Sequence, residues 1–161
     1  WLHNSTCPQQ YFAHLQCLEM LQDQEATRGS PYERVVFSRF DLQWVTPHPP
    51  LSLLDSQYVW AQNSINNMGF NDRHGVMARA HADIYFGSWA LLMSGQAATL
   101  VDEAGAHGFE LRGHGRTGAW TEGEVTCEGW LVIRLQAAGI IGQHYPCIHY
   151  VRCASQEGLW P

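Results

Sequence analysis

Apolar residues recur at helical spacing from about Pro8 to Glu25, with Tyr11, Leu15, Leu18 and Leu21 on one face and Phe12 and Met20 widening it. Pro8 sits where a first-turn proline is tolerated, Ser5 or Thr6 is placed to cap, and Arg28-Gly29-Ser30-Pro31 ends the run. The pattern then changes. Arg34 to Leu42 is rich in Val and Phe and predicts a buried strand. Thr46-Pro47-His48-Pro49-Pro50 cannot continue it, because proline donates no ladder hydrogen bond. Leu51 to Leu54 reads as a turn or single helical turn, and Gln57 to Trp60 as a second short strand. A polar loop through Asn63, Asn66 and Asn67 leads to Asn71-Asp72-Arg73-His74.

Gly75 to Arg79 predicts a third strand, and Ala80 to Met93 an amphipathic helix. Gly105 to Gly123, rich in Gly, His and Thr, predicts a long loop. Thr126 to Ala138 is the second clear helical pattern, with Trp130, Leu131, Ile133 and Leu135 recurring and Gly139 ending it. Ile140-Ile141 and Ile148 to Val151 are candidate terminal strands. The order of elements is an α/β plan in a single domain over residues 1–161, either complete or a piece of a longer chain.

Composition narrows the chemistry only slightly. A formal charge of -6 with 9 Lys+Arg leaves little to neutralise a nucleic-acid backbone, so nucleic acid is not an expected partner. An anionic sugar nucleotide is still compatible, because one Arg and a divalent cation can offset a diphosphate locally. No apolar run approaches a membrane span. The 5 cysteines show no C-x-x-C spacing, and their odd number leaves at least one thiol unpaired. Cys147 and Cys153 are close enough in sequence for a local disulfide in an oxidising compartment.

Three clusters carry candidate chemistry. Alternation along a strand sends Arg39 and Asp41 to one side, at the carboxyl end where open α/β sheets collect ligands. Asp41 there suits a hydrated cation and Arg39 a phosphate, or the two simply pair at the sheet edge. In Asn71-Asp72-Arg73-His74, Asp72 is placed to act as a base or hold sugar hydroxyls and Arg73 to bind phosphate; the alternative is a turn closed by the Asn and Asp side chains. Glu128 opens the second helix, where the helix dipole favours an acid in any case; its functional reading is the carboxylate that deprotonates an acceptor hydroxyl. The 9 histidines show no zinc-enzyme spacing, but His144 or His149 is placed to complete the coordination of a cation on Asp41. Trp44, Trp60 and Trp130 fall in patterned segments and are expected in the core.

The ordered motifs Val35-Val36-Phe37-Ser38-Arg39-Phe40-Asp41-Leu42-Gln43-Trp44, Pro49-Pro50-Leu51, Asn71-Asp72-Arg73-His74 and Cys127-Glu128-Gly129-Trp130-Leu131 together resemble a glycosyltransferase-like family of algae, plants and large algal viruses. Its relatives include chlorovirus enzymes that build capsid glycans. The resemblance implies a GT-A-like (Rossmann-like) mixed sheet flanked by helices. It also implies that part of the N-terminal nucleotide-binding unit is missing from this stretch, because a GT-A fold places a strand-helix-strand before the position of Asp41. It further implies transfer of a hexose or deoxyhexose from a nucleotide sugar to a glycan acceptor with Mn2+ or Mg2+. In that reading Asp41, Arg39 and Arg73 hold the cation and donor, His149 adds a ligand, and Asp72 or Glu128 is the base. The compartment would be the Golgi or secretory lumen for a eukaryotic source, or the infected host's cytoplasm for a viral one. The competing reading is a non-catalytic carbohydrate-binding or structural remnant of that fold.

Overall fold

The computed structural model describes residues 6–64, 69–106 and 125–151. Helix α1 (Thr6–Arg28) is followed by strands β1 (Arg34–Ser38) and β2 (Leu42–Trp44), a 3-10 turn at Leu51–Leu53, and strands β3 (Val59–Gln62) and β4 (His74–Ala78). Helices α2 (Arg79–Phe86), α3 (Ser88–Met93), α4 (Gln96–Ala106) and α5 (Cys127–Ala137) come next, then β5 (Gly142–Tyr145) and β6 (His149–Val151). Four strands form a mixed sheet in the order β1-β4-β3-β5, parallel only between β3 and β5, while β2 and β6 make a separate antiparallel ribbon. The α/β class matches the order of elements read from the sequence, and the sheet is mixed and flanked by helices.

Period-two burial decides how the layers assemble. On the central strand β4, Met77 enters a core with Leu18 of α1, Tyr85 and Phe86 of α2, and Leu131 and Leu135 of α5. Its neighbour Val76 points the other way, to Leu54, Tyr145, Trp60 and Ile148. Helices therefore cover one face, and the Leu51–Leu54 turn with the β2–β6 ribbon covers the other. A third core, between helices, gathers Tyr11, Ala97, Ala104, Trp130 and Ile133 around a disulfide between Cys7 and Cys127. The helix stops are local chemistry: Gly29 and Gly139 take the left-handed conformation, with φ of 74° and 69°, that residues with a Cβ avoid. Thr126 caps α5 by accepting a hydrogen bond from the Gly129 N–H at 3.0 Å.

Several expectations change. The predicted strand over 34–42 breaks after Ser38, because the chain turns at Phe40 and leaves the sheet to pair with β6. The predicted helix over 80–93 is two helices divided at Gly87. Helix α4 was not signalled, and its last turn takes in Gly105 and Ala106, the start of the predicted loop; the rest of that loop lies outside the described residues. Cys147 carries a free thiol, as does Cys17, and Cys153 lies outside the described residues. No helix among the described residues is long and apolar enough to cross a membrane.

The space between sheet and ribbon is filled by rings with polar edges. Trp44 of β2 lies edge-on to His74 and His149, with ring centroids 5.1 and 4.8 Å away. His48 and His149 stand 5.1 and 5.4 Å from His74, and Tyr145 of β5 hydrogen-bonds His74 Nδ1. Burial first, then the neighbouring His48 and His149, pushes His74 down to about 3 from an ordinary 6.5. Its imidazole is therefore neutral when folded, and the stability this contributes is complete above 6.5 and is lost as pH falls toward about 3. Thermal melts across that window should show acid destabilisation. In His74→Gln, which keeps a hydrogen-bonding group but takes no proton, the slope should flatten by up to about 1.4 kcal/mol per pH unit; an unchanged slope would exclude His74 as its source.

Candidate functional site

Four segments converge beside one end of the mixed sheet: the start of α1, the exit of β1, the approach to β4, and the start of α5. The approach to β4 is built by Asn71, which is fully buried. Its side-chain oxygen accepts the Arg73 N–H at 3.0 Å, and its amide donates to Ser64 Oγ. This is the asparagine turn that the composition allowed. The Arg39 N–H donates to the Arg73 carbonyl at 3.0 Å, extending the β1–β4 contact past the last paired residue and bringing Arg39 alongside. The Phe70 N–H donates to the Glu128 carbonyl at 3.1 Å, joining the same loop to α5. A Cβ at Gly69 would lie 2.1 Å from the Glu128 carbonyl carbon, so this approach requires glycine.

The turn and the helix start together bring two carboxylates into the interior. Asp72 and Glu128 are each 6% exposed. Asp72 accepts a hydrogen bond from Gln10 Nε2 of α1 at 2.7 Å, and Arg73 Nη2 lies 4.0 Å from Glu128 Oε1. Oxygens of Asp72 and Glu128 and the Cys127 sulfur all come within 4.8 Å of one another. The Tyr11 hydroxyl donates to the Cys127 carbonyl at 3.4 Å. Burial raises the proton affinity of Asp72, and the opposing Gln10 hydrogen bond and the Arg73 and Arg39 charges do not cancel it. The Tyr11 phenol is likewise driven up, by burial and then by the charges of Asp72 and Glu128. A buried carboxyl with raised proton affinity, beside a second carboxylate and two guanidinium groups, is equipped to accept a proton next to a bound anion.

The structure gathers Asp72, Arg73 and Glu128 into one group, and the charge of Arg39 reaches Asp72. Asp41 is arranged differently. Arg39 donates to both of its oxygens, at 2.9 and 2.5 Å, and this pairing holds its carboxyl below the usual range. That is the edge pair the spacing also allowed. His149 does not join Asp41. Strand register sets it opposite Trp44, three positions along β2, and it packs among Trp44 and His74. The physical reason is the turn at Phe40, which moves Asp41 to the end of the ribbon while His149 is carried inside it.

Sequence reasoning missed Gln10, the Cys7–Cys127 bond and the ring cluster around His74. The adjacency of Cys127 to Glu128 was the available signal for the second, but pairing across 120 residues is not deducible from spacing. For a divalent cation, the donor set divides. Cys127 is held in the disulfide, which leaves Asp72 and Glu128 as two hard oxygens in one ion's reach. The residues present therefore fit Mn2+ or Mg2+ at Asp72 and Glu128 better than at Asp41 and His149.

Two substitutions examine this arrangement. Gly69→Ala should lower stability by about 1–3 kcal/mol, because backbone rather than a flexible side chain must give way; a melt within error of the parent would show that the loop has room. For Asp72 the pH dependence has the opposite sign to that of His74. A carboxyl whose folded proton affinity is raised contributes fully at acid pH and loses that contribution as pH rises through its folded value. Asp72→Asn should therefore raise the melting temperature at neutral pH by about 2–4 °C and leave it unchanged in acid. Neutral-pH destabilisation would mean that the ionised carboxylate holds the fold together.

No curated protein and no solved structure matches this chain. A family model described as Domain of unknown function (DUF7796) matches residues 8–109. The matched segment contains Gln10, Arg39, Asp41, Asp72 and Arg73, while Cys7, Cys127 and Glu128 fall outside it. With more than half of its length matched, the chain belongs to the DUF7796 family.

Proposed function

We propose that the chain is a glycosyltransferase domain of GT-A-like type, moving a hexose or deoxyhexose from a nucleotide sugar to a glycan acceptor. The observation that carries this reading is the buried Asp72 carboxyl of raised proton affinity, set beside Glu128 and flanked by Arg73 and Arg39. Transfer from a nucleotide sugar needs a base for the acceptor hydroxyl and positive charge for the departing diphosphate. Asp72 supplies the base, since a carboxylate with raised proton affinity takes a proton more readily near neutral pH. Arg73 and Arg39 supply the charge. Glu128 orients Arg73, and Asp41 holds Arg39 at the exit of β1. Where a Mn2+ or Mg2+ is bound instead, Asp72 and Glu128 would hold it and it would stabilise the charge that develops on the diphosphate oxygen, with Asp72 then a ligand and not the base.

The second reading is a carbohydrate-binding remnant without transfer activity. It is favoured by the closed Arg39–Asp41 pair, which leaves both groups satisfied by each other.

Protection against thermal unfolding by nucleotide sugars, with and without Mn2+, separates the two. A donor present at about 100 times its Kd should stabilise the fold by about 2.7 kcal/mol, and Arg73→Ala should abolish the shift. If neither a nucleotide nor a nucleotide sugar moves the transition, while free oligosaccharides do, the remnant reading stands in place of the enzyme.

A further inference from the structure

The disulfide ends inside the carboxylate pair. Cys127 is the first residue of α5, and its sulfur lies within 4.8 Å of an oxygen of both Asp72 and Glu128. Cys7, its bonded partner, is the second residue of α1 and is fully buried. Sulfur, carboxylate and carboxylate at this separation are metal ligands of mixed softness, and all three are buried. While the disulfide is closed, the sulfur has no thiolate lone pair to give. We propose that opening it creates a zinc-class site, in which Cys127, Asp72 and Glu128 bind a borderline-soft divalent cation.

The chemistry balances with a dithiol reductant. Thiol–disulfide exchange breaks the Cys7–Cys127 bond, delivers two electrons and two protons to its sulfurs, and leaves the dithiol oxidised to its own disulfide. To ligate a cation the reduced Cys127 sulfur must give up its proton. Metal binding then releases that proton and tightens as pH rises. The start of α5 adds a favourable partial positive charge to the thiolate. One sulfur and two carboxylate oxygens leave a fourth tetrahedral position for water or for the Cys7 thiol, within reach because it was bonded to Cys127. The set differs from the oxygen-only pair of the oxidised protein. Reduction therefore changes which cations the centre prefers, from hard ions toward zinc. This inference rests on the ligand atoms and not on the glycosyl-transfer reading.

The test uses the full chain in a Cys17→Ser, Cys147→Ser, Cys153→Ser background, so that the other thiols do not contribute. Zinc binding is measured by calorimetry before and after reduction with dithiothreitol and removal of the reductant. Cobalt is then added as a spectroscopic substitute. Zinc should bind to the reduced protein and much more weakly to the oxidised one, and the reduced cobalt form should show a thiolate-to-metal charge-transfer band. Glu128→Gln, which leaves the disulfide intact, should weaken zinc binding after reduction by roughly tenfold or more. Cys7→Ser, which frees Cys127 permanently, should bind zinc without reductant; if it does not fold, reduced parent and Glu128→Gln still decide. Equal zinc binding in both redox states would place the metal elsewhere, for instance at the histidines around His74, and overturn the proposal. So would a cobalt complex without the charge-transfer band, or no binding after reduction.

Discussion

The loop before β4 and the first turn of α5 meet backbone to backbone, the Phe70 N–H on the Glu128 carbonyl across the space that a side chain at position 69 would fill. Much else depends on that contact. It brings Asp72, two residues past Phe70, toward Glu128, and it sets α5 at the depth where Leu131 and Leu135 reach the sheet core. The Cys7–Cys127 bond reinforces it from the other side by tying the start of α1 to the same helical turn. Gln10, one turn further along α1, is thereby held against the Asp72 carboxylate. Three segments far apart in sequence are thus made neighbours by one hydrogen bond, one missing Cβ and one covalent bond.

The same arrangement places ionisable groups where water is scarce. Asp72 is buried with a raised proton affinity, while on the opposite side of the sheet His74 and His149 are buried with lowered ones. Each is a group whose charged form costs free energy in its surroundings. The two clusters differ in how they meet that cost. Burial disfavours the charged forms of His74 and His149, and several ring nitrogens of the cluster have no hydrogen-bond partner among the described residues: Nε2 of His48 and His74, and both nitrogens of His149. Around Asp72, guanidinium groups and Gln10 partly balance the charge. A half-compensated carboxylate is poor for stability and well suited to proton transfer or to a cation. This contrast is why the candidate chemistry is assigned to Asp72 and not to the histidines.

How legible all this was in the sequence depended on the range of the interaction. Elements set by neighbours a few residues apart were readable: α1 from its apolar stripe, α5 from Thr126 and Gly139, and β4 from its run of apolar residues. The long strand over 34–42 was misread because hydrophobicity continues through Phe40 and Leu42. What ends β1 is pairing of the next segment with β6, more than 100 residues away. Within the site, Asp72, Arg73 and Glu128 were picked by residue type and position. Gln10 was not, since nothing local marks an amide on an amphipathic helix as a carboxylate's partner.

The sequence by itself determined the class of fold, the order of most elements and the residues with chemistry to offer, because each of those rests on periodicity, propensity or side-chain type. Only the tertiary structure decided the company those residues keep. Asp41 spends its charge on Arg39, His149 lies within a ring cluster opposite Trp44, and Asp72 meets Glu128 beside a disulfide. The reason is that which segments lie together is selected by packing and register of whole elements, often between residues far apart in sequence, and no single motif encodes that.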